Sequence, residues 1–77
     1  MTDTLTELVR LRRQLPAPPM RRAIRQAAGI SEATLAKSIG VSRSAISQWE
    51  AGSRFPHGEN LRKYVAALAE LHVETQG

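Results

Sequence analysis

The sequence predicts a small all-α domain of five helices. Three observations carry that prediction. Apolar residues recur at spacings of three and four in five separate stretches. No stretch shows the strict apolar–polar alternation of a half-buried strand. Each periodic stretch is bounded by Ser, Thr, Pro or Gly of the kind that starts or stops a helix. A chain of 77 residues has room for one such domain, with a thin stability margin. It has no cysteine, so neither a disulfide framework nor a cysteine-ligated zinc finger can supplement the core.

The first helix is expected over about 3–14. Thr2, Asp3 and Thr4 offer N-caps, Asp3 and Glu7 suit a helix start, and Arg10, Arg12 and Arg13 suit its end. Leu5, Leu8, Val9, Leu11 and Leu15 form a broad apolar stripe. Pro16-Ala17-Pro18-Pro19 ends the helix, because a residue before proline is pushed out of helical geometry. Pro19 can open the next helix, where a missing N–H costs nothing. That helix is expected over about 20–28, with Met20, Ala23, Ile24 and Ala27 inward and Arg21, Arg22 and Arg25 mostly outward. Gly29 is suited to its C-terminal cap.

Ser31 caps a helix over 32–39 that turns Leu35, Ala36 and Ile39 inward, and Gly40 closes it with positive φ. Ser42 caps a helix over 43–51 that Gly52 terminates. Residues 53–58 read as loop. The last helix is expected over about 59–72, with Leu61, Tyr64, Val65, Leu68 and Leu71 inward and a frayed end.

Charge is unevenly placed. Up to Lys63 the chain holds all 11 basic residues and five of the seven acids, a net of +6; the remainder is −2. A basic body favours an anionic partner, whether nucleic acid or an acidic surface. No apolar run approaches transmembrane length, and the N-terminus lacks a signal-peptide pattern, so a cytoplasmic protein is expected.

Residues 32–51 meet the steric demands of two helices crossing steeply around a short turn. Ala36 is small where the second helix would cross the first, Gly40 can take positive φ, and Ile46 and Trp49 are apolar anchors on one face. Glu50 shares that inner face, while Arg43, Ser44, Ser47 and Gln48 share the other. The outer set has a guanidinium able to grip guanine O6 and N7, an amide able to pair with adenine N6 and N7, and two hydroxyls able to serve either. Free N–H groups near Ser42 and Arg43 add positive partial charge toward phosphate. A polar helix face alone is more often merely solvated. The joint fit of Ala36, Gly40, Ile46 and Trp49 favours a DNA-reading helix-turn-helix.

The run RQAAGISEATLAKSIGVSRSAISQWEAGSRFP followed by ENLRKYVAAL resembles the Cro/C1-type (xenobiotic-response-element, XRE) helix-turn-helix family over roughly residues 20–71. The resemblance implies a lambda-repressor-like domain with an extra N-terminal helix. Its parts would be a helix and proline-rich connector over 1–18, a DNA-binding domain over 19–73 with recognition helix 43–51, and a frayed tail over 74–77. It implies base-edge contacts from Arg43, Ser44, Ser47 and Gln48 and phosphate contacts at Ser31, Ser42 and Arg54. It also implies an ion pair between Arg25 and Glu50. One departure concerns the residue after the Ser31 cap. The family commonly places a phosphate-holding glutamine there, whereas this chain has Glu32, which suits a helix N-terminus but repels phosphate.

Other residues carry less. Lys37, Arg21 and Arg22 read as solvated surface. His57 and His72 lack a carboxylate or cysteine constellation, so neither reads as a metal ligand or catalytic base. No catalytic arrangement, metal site or cofactor is expected, and an enzyme is the weakest reading. The leucine stripe of the first helix has three possible destinations: its own domain near the last helix, a second subunit in a homodimer, or, with its arginines, a basic arm along DNA. The expected function is a sequence-specific, double-stranded DNA-binding transcriptional regulator, a repressor of bacterial or phage type acting at the nucleoid. The alternative is a protein-interaction or antitoxin-like module whose first helix binds a polymerase subunit or a toxin.

Overall fold

The computed structural model describes residues 4–76. They form α1 (Thr4–Gln14), α2 (Pro18–Ala27), α3 (Glu32–Ile39), α4 (Arg43–Ala51) and α5 (Gly58–Gln76), with no strand among the described residues. The N-cap expected from Thr2 or Asp3 and the terminal Gly77 lie outside them. Two boundaries differ from expectation. Helix α2 starts two residues early, with prolines in its first turn, where their fixed φ is already helical. The tail expected to fray over 74–77 is helical as far as Gln76, continuing α5.

Helix α5 is the central strut, packing against α1, α2 and α3, while α4 packs on α2 and α3. Leu61, Tyr64, Val65 and Leu68 of α5 are buried with Leu15, Ile24, Leu35, Ala36, Ile39, Ile46 and Trp49; Leu71 packs at the margin. Trp49 and Tyr64 tilt against each other with ring centroids 4.8 Å apart, a spacing favoured by aromatic quadrupoles.

The leucine stripe of α1 packs on its own domain. Leu15 is buried, Leu8 and Leu11 pack against the core, and Leu5 and Val9 remain exposed. Polar contacts fix the helix in place. Arg62 of α5 donates from Nε to Glu7 at 2.6 Å, and the Arg12 guanidinium lies over the Phe55 ring, 4.6 Å from its centroid. The 53–58 loop is thus less solvated than its composition suggests: Pro56 is fully buried and Phe55 half-buried.

Helix α2 is oriented differently from expectation. Arg21 and Arg25 are buried beside Ile24, whereas Met20, Ala23 and Ala27 are exposed. Periodicity alone turns the apolar side chains inward. Here the neighbouring surface of α4 offers a carboxylate and a helix C-terminus, and charged hydrogen bonds to these groups offset the cost of burying the guanidinium groups.

Candidate nucleic-acid interface

The site begins with the turn between α3 and α4. Ser31 caps α3 by accepting a hydrogen bond from the Thr34 N–H at 3.0 Å. At the other end Gly40 adopts φ 90°, and the N–H groups of Gly40 and Val41 both donate to the Ala36 carbonyl, at 2.8 and 3.0 Å. This left-handed position suits glycine because a side chain would be strained there. Ser42 caps α4 by accepting from the Ala45 N–H at 3.1 Å. Two short helices are therefore punctuated at all four ends by residues within 21 positions of each other, which sets their crossing tightly.

The inner face of α4 is clamped. Ile46, Trp49 and Glu50 are buried. Glu50 accepts from Arg25 Nε at 2.5 Å and from Arg25 Nη2 at 3.0 Å, a two-pronged pair. Arg22, half exposed, adds a longer contact at 3.4 Å. Arg25 also donates to the Ile30 carbonyl at 2.8 Å, tying the approach to α3 into the same cluster. The hydrogen bond to Glu50 holds the Arg25 guanidinium above its ordinary pKa, against the opposing pull of burial.

Arg21, expected at the solvated surface, is instead buried against α4, a role that apolar periodicity does not reveal. It is 6% exposed, donating to the Pro16 carbonyl at 2.7 Å and to the Trp49 carbonyl at 2.8 Å. Burial lowers its pKa from the usual guanidinium value. A cation at the last carbonyls of α4 complements the helix dipole. The sequence signal available was its i, i+4 spacing to Arg25. Arg22, also expected to be solvated, reaches Glu50 while remaining half exposed.

The outer face of α4 is open. Arg43, Ser44 and Ser47 are exposed and Gln48 is half-buried. Ser31, Ser42 and Arg54 are also exposed. The Arg54 backbone N–H donates to the Gln48 carbonyl at 3.3 Å, so the loop carrying it is anchored to the end of α4. Lys37 is exposed on α3. Arg43 is not isolated: its Nε lies 3.7 Å from a Glu32 carboxylate oxygen. The structure thus places the four base-edge candidates on one solvent-facing helix surface, with the three phosphate candidates at helix ends and in the following loop. Among the described residues, no group of His, Asp and Glu has the arrangement to hold a metal ion.

A short helix held by its inner face, with guanidinium, amide and hydroxyl groups outward, following a glycine turn, defines a helix-turn-helix DNA-binding domain. Residues 22–74 match the helix-turn-helix family model, more than half of the chain, and the protein belongs to this Cro/C1-type family of DNA-binding regulators, which is not a family of enzymes. The chain is also similar to the repressor protein C2 of Salmonella phage P22, at 49% identity over 47 residues. That match covers 61% of this chain and 22% of the phage protein. No solved structure matches the chain. No described helix is long and apolar enough to cross a membrane.

Proposed function

We propose that the protein is a transcriptional repressor of phage type that reads an operator by laying α4 in the major groove of double-stranded DNA. Arg43, Ser44, Ser47 and Gln48 contact base edges; Ser31, Ser42 and Arg54 hold phosphates on either side. The observation that carries this reading is the division of α4: its inner face is fully engaged by α2, α3 and the core, while its outer face is polar and exposed. Similarity to a phage repressor supports the sign of regulation, which is exerted by occupancy. Residues 19–73 form the reading unit, and 4–18 brace it through Leu15 and Glu7.

Two copies occupy paired half-sites in this proposal. The exposed apolar side chains of Leu5, Val9 and Val73 are the surface that such a pairing would cover. The protein acts in the cytoplasm on nucleoid DNA. In-vitro selection from random duplexes tests the reading directly. A palindromic consensus is expected, with half-site spacing near one helical turn or a multiple of it. Failure to enrich any consensus overturns the proposal. Arg43→Ala should cost about 1–3 kcal/mol and relax preference at one base position. A uniform loss over all sequences would reassign Arg43 to phosphate.

A further inference from the structure

The last turn of α4 is held from behind by a buried cation. Arg21 of α2 is 6% exposed. Its Nε donates to the Pro16 carbonyl at 2.7 Å, and its Nη1 donates to the Trp49 carbonyl at 2.8 Å. One rigid guanidinium plane therefore spans the connector that follows α1 and the end of the reading helix. Both anchors are themselves held. Leu15, next to Pro16, is buried in the core, and its N–H donates to the Leu11 carbonyl at 3.1 Å. Trp49 is buried, and its carbonyl also accepts from the Gly52 N–H at 3.3 Å. Arg21 lies just ahead of the stretch 22–74 that matches the helix-turn-helix family.

Stability alone does not call for an arginine here. An apolar side chain of similar length would fill the space without desolvating a charge, and such replacements are often neutral. What it would not do is hold two carbonyls at a set separation. The last turn of α4 also carries groups of the reading surface. The Gln48 carbonyl, next to that of Trp49, accepts from the N–H groups of Ser53 and Arg54 at 3.0 and 3.3 Å. Gln48 and Arg54 thus take their places from a turn whose carbonyls have no intrahelical partners. The first turn is set separately, by the Ser42 cap beside Arg43.

We propose that Arg21 is a positioning residue that fixes the C-terminal half of the reading surface, setting the base selectivity of Gln48 and the phosphate contact of Arg54 but not the contact of Arg43. This rests on the proposal that α4 reads DNA. Arg21 is buried and acts through the Trp49 carbonyl.

The test compares the full chain with Arg21→Met, Arg21→Lys and Leu71→Ala, the last a control that lowers stability at the core margin on α5. Each is measured on the selected duplex and on duplexes changed at each position in turn, with Gln48→Ala and Arg43→Ala assigning the positions. Arg21→Met should reduce discrimination at the Gln48 position by about three- to tenfold, within the range of one bidentate base contact. The log–log salt slope should become shallower by up to about 0.9 as one phosphate contact loosens. Discrimination at the Arg43 position should stay constant. Amide hydrogen exchange followed by NMR should quicken at Gly52, Ser53 and Arg54 and stay constant at Ala45. Arg21→Lys, with a single donor head in place of the fork, should show the same positional loss to a smaller degree. Added to Gln48→Ala, Arg21→Met should cause no further loss at that position.

A wild type that selects a consensus, with discrimination unchanged by Arg21→Met, overturns the role of Arg21 and leaves the DNA-reading proposal standing. Equal loss at the Gln48 and Arg43 positions, or the same pattern in Leu71→Ala, also overturns it, because global stability would then be the cause. Should Arg21→Met lack a cooperative thermal transition, Arg21→Lys carries the comparison, and a lysine variant identical to wild type at the Gln48 position overturns the bridging account. A wild type that selects no consensus overturns both proposals.

Discussion

Glu50 brings a carboxylate whose side chain is 0% exposed into the interface between α2 and α4, where nitrogens of Arg25 and Arg22 meet it. Removing one member of a buried pair leaves the other desolvated and uncompensated. Glu50→Ala should therefore cost roughly 3–5 kcal/mol. At about 4–8 °C per kcal/mol for a domain of this size, thermal unfolding followed by circular dichroism should show a drop well beyond measurement error. An unchanged melting temperature would exclude a stabilising role. Tyr64 offers a different test. Its hydroxyl is buried without a hydrogen-bond partner among the described residues. Burial, reinforced by the Glu50 charge, raises its pKa from 10.0 to about 12. The fold therefore favours the neutral phenol. That contribution is fully present below about pH 10, the unfolded value, and is lost as pH rises toward about 12. Tyr64→Phe should remove this alkaline slope, and near pH 7 should change stability little, because no hydrogen bond is lost. Parallel denaturant titrations of both proteins between pH 8 and 11.5 would measure the difference, and identical pH profiles would refute it.

At the scale of the element, α4 depends on its ends. Its nine residues span little more than two turns, too few for an isolated helix to persist in water. The Ser42 cap, the Arg21 contact to the Trp49 carbonyl and the Gly52 stop all act within that short length. Gly52 has a double constraint. It adopts φ 76°, and a Cβ built there would lie 3.0 Å from Cγ of Pro18 at the start of α2. Gly52→Ala should thus destabilise by more than the roughly 1–2 kcal/mol of left-handed strain alone, because the proline must also shift. Gly40→Ala, with similar φ but open space around it, should show the strain without the collision. Equal losses in the two variants, measured by chemical denaturation, would rule out the steric contribution. The glycine requirement was legible from sequence at both positions, since each follows a periodic apolar run. The Pro18 contact was not, because it joins residues 34 positions apart in the chain.

For the whole molecule, net charge and its placement govern how the protein meets DNA. A body of +6 and a distal −2 should make association strongly salt-dependent, since each phosphate neutralised contributes about −0.9 to the log–log slope. Binding measured by fluorescence anisotropy between about 50 and 200 mM salt should fall steeply, and a flat profile would contradict phosphate neutralisation by Arg54 and the surrounding basic residues. The additional N-terminal helix completes the outer layer, with α1 and α5 joined through Glu7–Arg62 and the leucines of α1 closing one side of the core. This scale also carries the division of labour between the helices: α2 and α5 hold, α3 and α4 present.

Periodicity, caps and turn residues are local properties, and they were enough to determine five helices, the tight turn at Gly40 and the sorting of α4 into an inner apolar face and an outer polar one. Arg43, Ser44, Ser47 and Gln48 could be chosen from the sequence because a nine-residue helix has only two faces and Trp49 identifies one of them. The Arg25–Glu50 pair was implied by resemblance, but tertiary structure alone decided that Arg21 is buried. That guanidinium reads as solvent-facing until an orphan carbonyl from α4 is brought against it, and this partner lies 28 residues away along the chain. It likewise placed Arg43 beside Glu32, so the sequence departure at Glu32 acquires a partner that spacing along either helix cannot reveal. Local patterning specifies what each helix can offer, and only packing specifies what it meets.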